Sequence, residues 1–582
     1  MSTRHRTRRA RAPRTTVLTT ALAALLVVLV GVVTSCARIP TEGPVRDGTA
    51  ELEEAGEIGY IPSGPSPGAS PDEIVQGFLN SASVGPTSAT FVAAQEYLTE
   101  RAWRGWDRYA RVLVLDGPPQ LDSGDVPEDA TEATVTADAS AVATLDEHGT
   151  YTEGATASPV ETQFTLARNA AGEWRIAGLE DGLMLTTAFF SQAFHLTTLY
   201  FPTPDLTQWV PDVRWFPRQT WRTDATGEIL AGPPEWLADS TTTVVPEGTT
   251  LALDAVTVSD DGTIDVSLTS TISQATADQR AMALAQLEAT LVEGEGREVV
   301  LSDRTSPLAV PSETEVVGPR TEGDALVVAD GRLRRVVGQE IEDLPDAPSL
   351  AGLDPTALAV GQGDDPVVVR DGSGRVVRVA ADAAPQLLLA GEDLVAPSVD
   401  RFGSVWSARG SRLLVATAEG RTTRIDVDWL EPRTVLGLRV SPEGARVAVV
   451  TSGPGGRMVQ VAGVQRDADN VPTGLSSPVR VGASVPQAEL AVWQDEATLV
   501  LLGADVDADD GRSLYLSGVG GLLGSGGLSR ELTGASDPRW ATASVGAGTL
   551  LALSGDGTLS ARQSSSLWPV VATDVDLVAF PG

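Results

Sequence analysis

From about residue 318 to the C-terminus, helical periodicity disappears from the chain. Short apolar segments alternate instead with turns rich in Gly, Asp and Ser: "DALVVADGRLRRVV", "DPVVVRDGSGRVVRVA", "GSVWSARGSRLLVAT", "VLGLRVSPEGARVAVVT", "LAVWQDEATLVLLG" and "GTLLALSGDGTLSAR". Runs of this length, bounded by turn residues, predict strands. Nearly half of the chain is therefore all-β, and so many short strands have few ways to fold. They close into a ring, or they stack as a sandwich. Composition agrees with turn-rich β structure, with 58 Gly and 37 Pro in 582 residues.

Ser441-Pro442-Glu443-Gly444, between "LGLRV" and "ARVAVV", resembles the turn common in β-propeller blades. The 265 residues of 318–582 correspond to about six blades of ~40–45 residues. The repeat is degenerate, so this count rests on length alone. A closed propeller is favoured over a sandwich pair. The last strands, "SSSLWPVVATDVDLVAF", can pair with a blade begun near 318, and closure leaves few free edges.

The opposite end is basic, then apolar. Arg4, Arg6, Arg8, Arg9, Arg11 and Arg14 precede an uncharged stretch, Thr15 to Ala37, rich in Ala, Leu and Val. That is the pattern of an export signal, although the run is also about long enough for an uncleaved membrane anchor. Cys36 favours the first reading. Val33, Thr34 and Ser35 give an aliphatic and two small residues directly before it. This resembles the bacterial lipobox, whose cysteine is lipidated and becomes the mature N-terminus. The resemblance implies a signal peptide over 1–35 and a covalent diacylglycerol and N-acyl lipid on Cys36. It also implies a cell-membrane location, anchored on the extracytoplasmic face. Each buried lipid CH₂ contributes roughly 0.8 kcal/mol, and two or more chains hold a protein stably.

Cys36 is the only cysteine, which excludes an intramolecular disulfide and any metal cluster needing two thiolates. All 42 basic residues are arginine; loss of the signal's six leaves 36 against 78 acids, a net charge of −42. Such acidity argues against nucleic acid as a partner and against electrostatic adhesion to anionic lipid.

Residues 36–69 form a polar tether rich in Pro, Gly and Glu, ending in "IPSGPSPGASP". An α+β domain follows over 70–187. Ser70 and Glu73 form a capping-box pattern, Pro71 takes the first helical position, and Ile74, Val75, Phe78, Leu79 and Ala82 form one stripe. A second helix is expected from about Ser88 to Leu98. Strands follow at "ATVTADASAVATL" and "ETQFTLARNAAGEWRIAGL", with turns at Asp146–Gly149 and Asn169–Gly172. This order resembles a cone-shaped domain of the NTF2 type, which often encloses a pocket. A pocketless α+β core is the alternative.

Residues 190–312 open with "HLTTLYFPTPDLTQWVPDVRWFP", read as a strand and a Pro-rich loop. A strand start at Pro246–Gly248 and a hairpin at Asp260-Asp261-Gly262 come next. The helix "TADQRAMALAQLEATLVE" then carries a Thr276/Gln279 capping box and a face of Leu284, Leu287 and Leu291. The arrangement resembles the GerMN domain of sporulation, germination and cell-envelope proteins. The fold class is thus multidomain: an NTF2-like α+β domain, an α+β GerMN domain, and an all-β propeller-like region over 318–582.

Motifs for chemistry are weak. Of the three histidines, His5 leaves with the signal, His148 lies in a turn, and His195 precedes an apolar strand where a buried role outweighs catalysis. No two have metal-ligand spacing. The run Asp505 to Gly511 departs from a calcium loop by an extra residue before the Gly and by Leu516 at the twelfth position, so an acidic hairpin tip suffices. "GVGGLLGSGG", 518–527, lacks the third glycine of a dinucleotide motif and reads as a flexible loop. No Gly-x-Ser-x-Gly elbow with a downstream histidine occurs. The expectation is a protein that is not an enzyme and carries no cofactor beyond its lipid. One cluster stands out for binding. Trp103, Trp106 and Tyr109 fall three apart, interleaved with Arg101, Arg104, Arg108 and Arg111. At helical spacing this is most simply a core stripe with a basic face; otherwise it is a docking patch of the Arg and Trp kind found at interface hot spots.

The full order, carried by Val33–Cys36, "LYFPTPDLTQWVPDVRWFP" and "SPEGARVAVV", resembles the LpqB family of actinobacterial lipoproteins. That resemblance implies an accessory regulator of an MtrA–MtrB type two-component system. Its partner would be the extracellular domain of the MtrB sensor histidine kinase, with a role in envelope homeostasis and division. A lipoprotein that binds cell-wall sugar or peptide without a kinase is the alternative, and an envelope hydrolase with unrecognised carboxylates is a further rival.

Overall fold

The computed structural model describes residues 63–88, 90–294, 297–304, 306–310, 316–363, 366–504 and 511–582. The signal peptide, Val33 to Cys36, the tether up to residue 62 and the acidic run 505–510 lie outside the described residues.

Helix α1 (Pro71–Ser88) begins at the capping box. The Ser70 amide donates to Glu73 Oε2 at 2.8 Å and the Glu73 amide to Ser70 Oγ at 3.3 Å. Ile74, Val75, Phe78, Leu79 and Ala82 are all buried, so the apolar stripe is the docked face. The expected second helix is shorter than its sequence pattern: α2 covers only Val92–Glu96. Backbone pairing stops it, since Ile176 donates to the Tyr97 carbonyl and accepts from the Thr99 amide, both at 2.9 Å. A third short helix, α3 (Glu100–Gly105), leads into the sheet.

The sheet uses β1 (Arg111–Leu115), β2 (Gln120–Asp122), β3 (Glu132–Asp146), β4 (Tyr151–Arg168), β5 (Trp174–Gly178) and β6 (Leu183–Thr186). Its order is β5-β4-β3-β1-β6, with β2 on β3 and only β1–β6 parallel. Both turns fall where the sequence places them. Phe78 fills the concave side, edge-on to Trp106 at 5.1 Å and to Phe164 at 6.1 Å. The mouth beside them holds about 20 Å³, room for a water molecule and no more.

After α4 (Thr187–Ala193) the expected strand and Pro-rich loop is instead one long hairpin, β7 (Phe194–Pro202) with β8 (Trp209–Pro217). Two-stranded sheets have only edges, so Pro211 can lack an amide hydrogen without breaking a central ladder. Helix α5 (Trp221–Ala231), which the sequence pattern did not reveal, packs on both strands. The segment after Pro246 is a turn rather than a strand start; pairing there is limited to a Leu251–Leu268 bridge and β9 (Thr257–Val258). β10 (Ile264–Leu268) follows the Asp-Gly hairpin. It then runs parallel to β11 (Val299–Asp303), with α6 (Ala277–Leu291) as the crossover and β12 (Ser306–Pro307) at the edge. The capping box on α6 forms in both directions, and Leu287 and Leu291 are buried while Leu284 is half-buried.

Among the described residues the C-terminal region is a closed ring of six sheets, five of four strands and one of five. The innermost strands are Val575–Ala579, Pro355–Val360, Ser398–Val399, Thr434–Val440, Leu490–Trp493 and Pro538–Ala543, each touching the next around the circle. The ring closes as expected: Val575–Ala579 pairs antiparallel with Leu326–Ala329, so the chain's last strand completes its first blade. That joint makes global opening of the ring require loss of a four-stranded sheet.

Candidate interaction site at the domain junction

β8 is buried along eight of its nine residues, with no alternation between faces. Both faces are covered because the strand belongs to several cores at once. Trp215 enters the core of the first domain, 4.9 Å from Phe190 and 6.1 Å from Tyr151. Phe216, its neighbour on the opposite face, enters the core of the second domain. Val210 packs with Leu237 and with Ala445 of the propeller. One strand thus joins all three domains, and its aromatic density is explained by burial on both sides.

The propeller grips this strand from its fourth and fifth blades. Glu443 of the Ser441–Gly444 turn and Arg446, two residues beyond it, are both fully buried and form an ion pair at 2.7 Å. Arg446 also donates to the Pro211 carbonyl at 3.4 Å and the Glu496 carbonyl at 2.7 Å, with its guanidinium 4.6 Å from the Trp493 ring. The glycine-rich stretch 518–527, expected as a flexible loop, is a docked strap. The Gly520 carbonyl accepts from Trp215 Nε1 at 2.9 Å, and the Gly526 carbonyl from the Tyr151 hydroxyl at 3.0 Å. Glycine is required for close backbone approach, not flexibility: a Cβ at Gly520 would lie 2.5 Å from the Val213 carbonyl oxygen.

Polar contacts complete the joint. Glu153 of β4 accepts from the Ala483 and Ser529 amides and from the Ser484 and Ser529 hydroxyls, at 2.6–3.1 Å. Arg401 pairs with Asp205 at 2.5 Å. Burial acts to raise the Asp205 carboxyl, but hydrogen bonds from Thr203 and Arg401 and the Arg401 charge outweigh it, holding the group at about 2. Gln465 reaches Asp239 at 2.8 Å, and the Ser476 hydroxyl donates to the Trp236 carbonyl.

The Arg and Trp cluster takes a different form from a single helical stripe, because α3 ends at Gly105. Trp106 is core, its Nε1 donating to the Gly182 carbonyl at 3.1 Å. Trp103 and Tyr109 are half-buried. Arg108 stacks 4.0 Å over Trp103, Arg104 pairs with Glu100, and Arg111 with Glu180. Arg101 is exposed. The structure therefore brings Arg108, Trp103 and Trp106 together and leaves Arg101, Arg104 and the outer side of Trp103 as the surface of the candidate patch. His195 stacks on Trp221 at 4.4 Å and meets Glu293 at 2.9 Å, while His148 meets Glu228 at 3.1 Å. Of the junction residues, Arg446 lies in the "SPEGARVAVV" segment that the sequence marks as a blade turn, while Glu153, Trp215 and Gly520 carried no sequence signal beyond the density of aromatics in β8 and of glycines in the strap.

Comparison with known families follows the same division. The family description "Lipoprotein LpqB, N-terminal domain" matches residues 64–191, and "Lipoprotein LpqB beta-propeller domain" matches 331–578. The chain belongs to the LpqB lipoprotein family. Between those segments, residues 198–302 match the Germane family, described as "Sporulation and spore germination", as the GerMN resemblance anticipated. Lipoprotein LpqB of Bifidobacterium longum is 26% identical, covering 79% of this chain and 81% of the relative. That of Thermobifida fusca is 26% identical over 94% and 96%. A relative from Nocardia farcinica reaches 32% over 36% of this chain and 32% of its own length. Membership in this lipoprotein family makes the chain a membrane-anchored lipoprotein. Among the described residues no helix is long and apolar enough to cross a membrane.

Proposed function

We propose that this LpqB-family protein is held by lipid on Cys36 at the extracytoplasmic face of the membrane. There it acts as a non-enzymatic accessory regulator of a sensor histidine kinase of the MtrB type. The observation that most supports a regulator is β8, one strand shared by three cores. A rigid joint lets binding at one domain bias the position of the others, which a string of independent domains does not do. Anchoring confines the protein near a membrane-bound partner and raises its effective concentration there. The first domain, with Arg101, Trp103 and Arg104 on its surface, docks on the kinase ectodomain. Preference for one of two kinase conformations shifts the kinase's output.

Replacing Cys36 with alanine in cells tests this reading. The expected result is loss of the protein from the membrane fraction and a severalfold change in phosphorylation of the paired response regulator. A soluble, stable C36A protein with unchanged regulator phosphorylation would contradict it.

A further inference from the structure

A cleft of about 440 Å³ opens where the first two domains meet. Tyr109, Val112 and Leu145 of the first domain form one wall; Phe216 and Pro217 of β8, Thr220, and Thr223, Asp224 and Glu228 of α5 form the other. Its size lies within the range of small-molecule sites, ~300–1,000 Å³. The cavity of about 20 Å³ beside Phe78 and Trp106 does not.

The walls combine aromatic surface with carboxylates that are unequally satisfied. Asp146 spends Oδ1 on the amides of His148 and Thr150. Glu228 is shared by His148 at 3.1 Å and Arg214 at 3.4 Å. Glu147, exposed, lies 3.8 Å from His148. Among the described residues the Asp224 carboxylate pairs with no cation, and it accepts a hydrogen bond from the Thr220 hydroxyl at 2.6 Å. Burial raises its pKa and the Glu228 charge adds to that, so it sits where a positive charge would be favoured. The Tyr109 hydroxyl beside it makes no hydrogen bond among the described residues. Burial, and then the Asp224 charge, push this phenol up to about 12, so it stays neutral and able to donate or accept.

From the cleft's volume, its aromatic walls and the uncompensated Asp224, we infer that it is a binding site for a small organic cation bearing an aliphatic ammonium group. The ammonium sits between Asp224 and Tyr109, and the aliphatic stem lies along Val112, Leu145 and Phe216. A neutral sugar would satisfy the hydroxyl but leave the acid without a counter-charge. The inference goes beyond the regulator reading, since binding here is measurable with no kinase present.

Calorimetric titration of the full-length protein in detergent with cadaverine tests it, with pentanediol as the neutral match. Saturable binding of cadaverine alone is expected, weakened about tenfold or more by Asp224→Asn, the scale of losing one charged contact. Glu147→Gln, at an exposed position, should weaken it less, and unchanged melting of both variants separates lost binding from lost folding. No saturable heat with cadaverine, equal binding of the diol, or unaltered affinity in D224N would each overturn the site. None of these outcomes bears on kinase docking.

Discussion

Replacing Arg446 with methionine is expected to destabilise the protein by about 3–5 kcal/mol, the usual cost of breaking a fully buried ion pair from one side. The reason is what remains. Glu443 would be left fully buried without its cation, and among the described residues its Oε2 already has no hydrogen-bond partner. The carbonyls of Pro211 and Glu496 would lose their donor as well. The loss is a large share of a stability of ~5–15 kcal/mol, typical of folded domains. Adding Glu443→Gln removes the stranded charge, so the double variant recovers most of the loss but not the two carbonyl contacts. Chemical denaturation of R446M, E443Q and the pair, read as a double-mutant cycle, measures the coupling. A loss below about 1 kcal/mol for R446M, ordinary for an exposed pair, would mean that this turn does not hold the propeller to β8.

Alanine at Gly520 is expected to cost about 2–5 kcal/mol, from a strained backbone and from overpacking together. Gly520 has φ +93°, and its Cβ would meet the Val213 carbonyl, which belongs to a strand buried on both faces and cannot retreat. The neighbouring Gly524 is an internal control. It has φ +79° but nothing within 4 Å, so G524A should show only the conformational cost, roughly 1–2 kcal/mol. Thermal unfolding orders the two variants. Limited proteolysis reports whether the strap has left Trp215, because a released glycine-rich loop becomes a cleavage site. Equal effects of the two substitutions would show that the strap is not docked in solution.

These two sites mark the boundary of what local pattern reveals. The helix α1, both capping boxes, the hairpins at Asn169–Gly172 and Asp260–Gly262 and the closing strand of the propeller were legible. Each depends on spacing within one short segment, or on a regular alternation that one buried face imposes. β8 was not legible as a strand, because a strand covered on both sides shows no alternation and its prolines suggest a loop. Helix α5 was missed for a related reason: Gly227 and three threonines or aspartates in its first turns weaken the helical signal, and tertiary packing of Trp221, Ala225 and Ile229 supplies the stability. The strap at 518–527 shows the same limit in reverse. Glycine richness looks like flexibility until the neighbouring backbone is known. In the candidate patch, residue types were legible but placement was not, since the turn after Gly105 sends Trp106 into the core while Trp103 stays at its edge. The cleft could not be seen at all: Tyr109 and Asp224 are brought together only by the packing of two domains.

The most direct test of the whole account is equilibrium binding between the full-length protein and the extracellular domain of its partner kinase, at physiological salt. Saturable binding at micromolar concentration or tighter is predicted. It should be weakened by Trp103→Ala or by reversing the charge of Arg101 in a protein that still melts normally. Absence of saturation at high micromolar concentration would contradict the account.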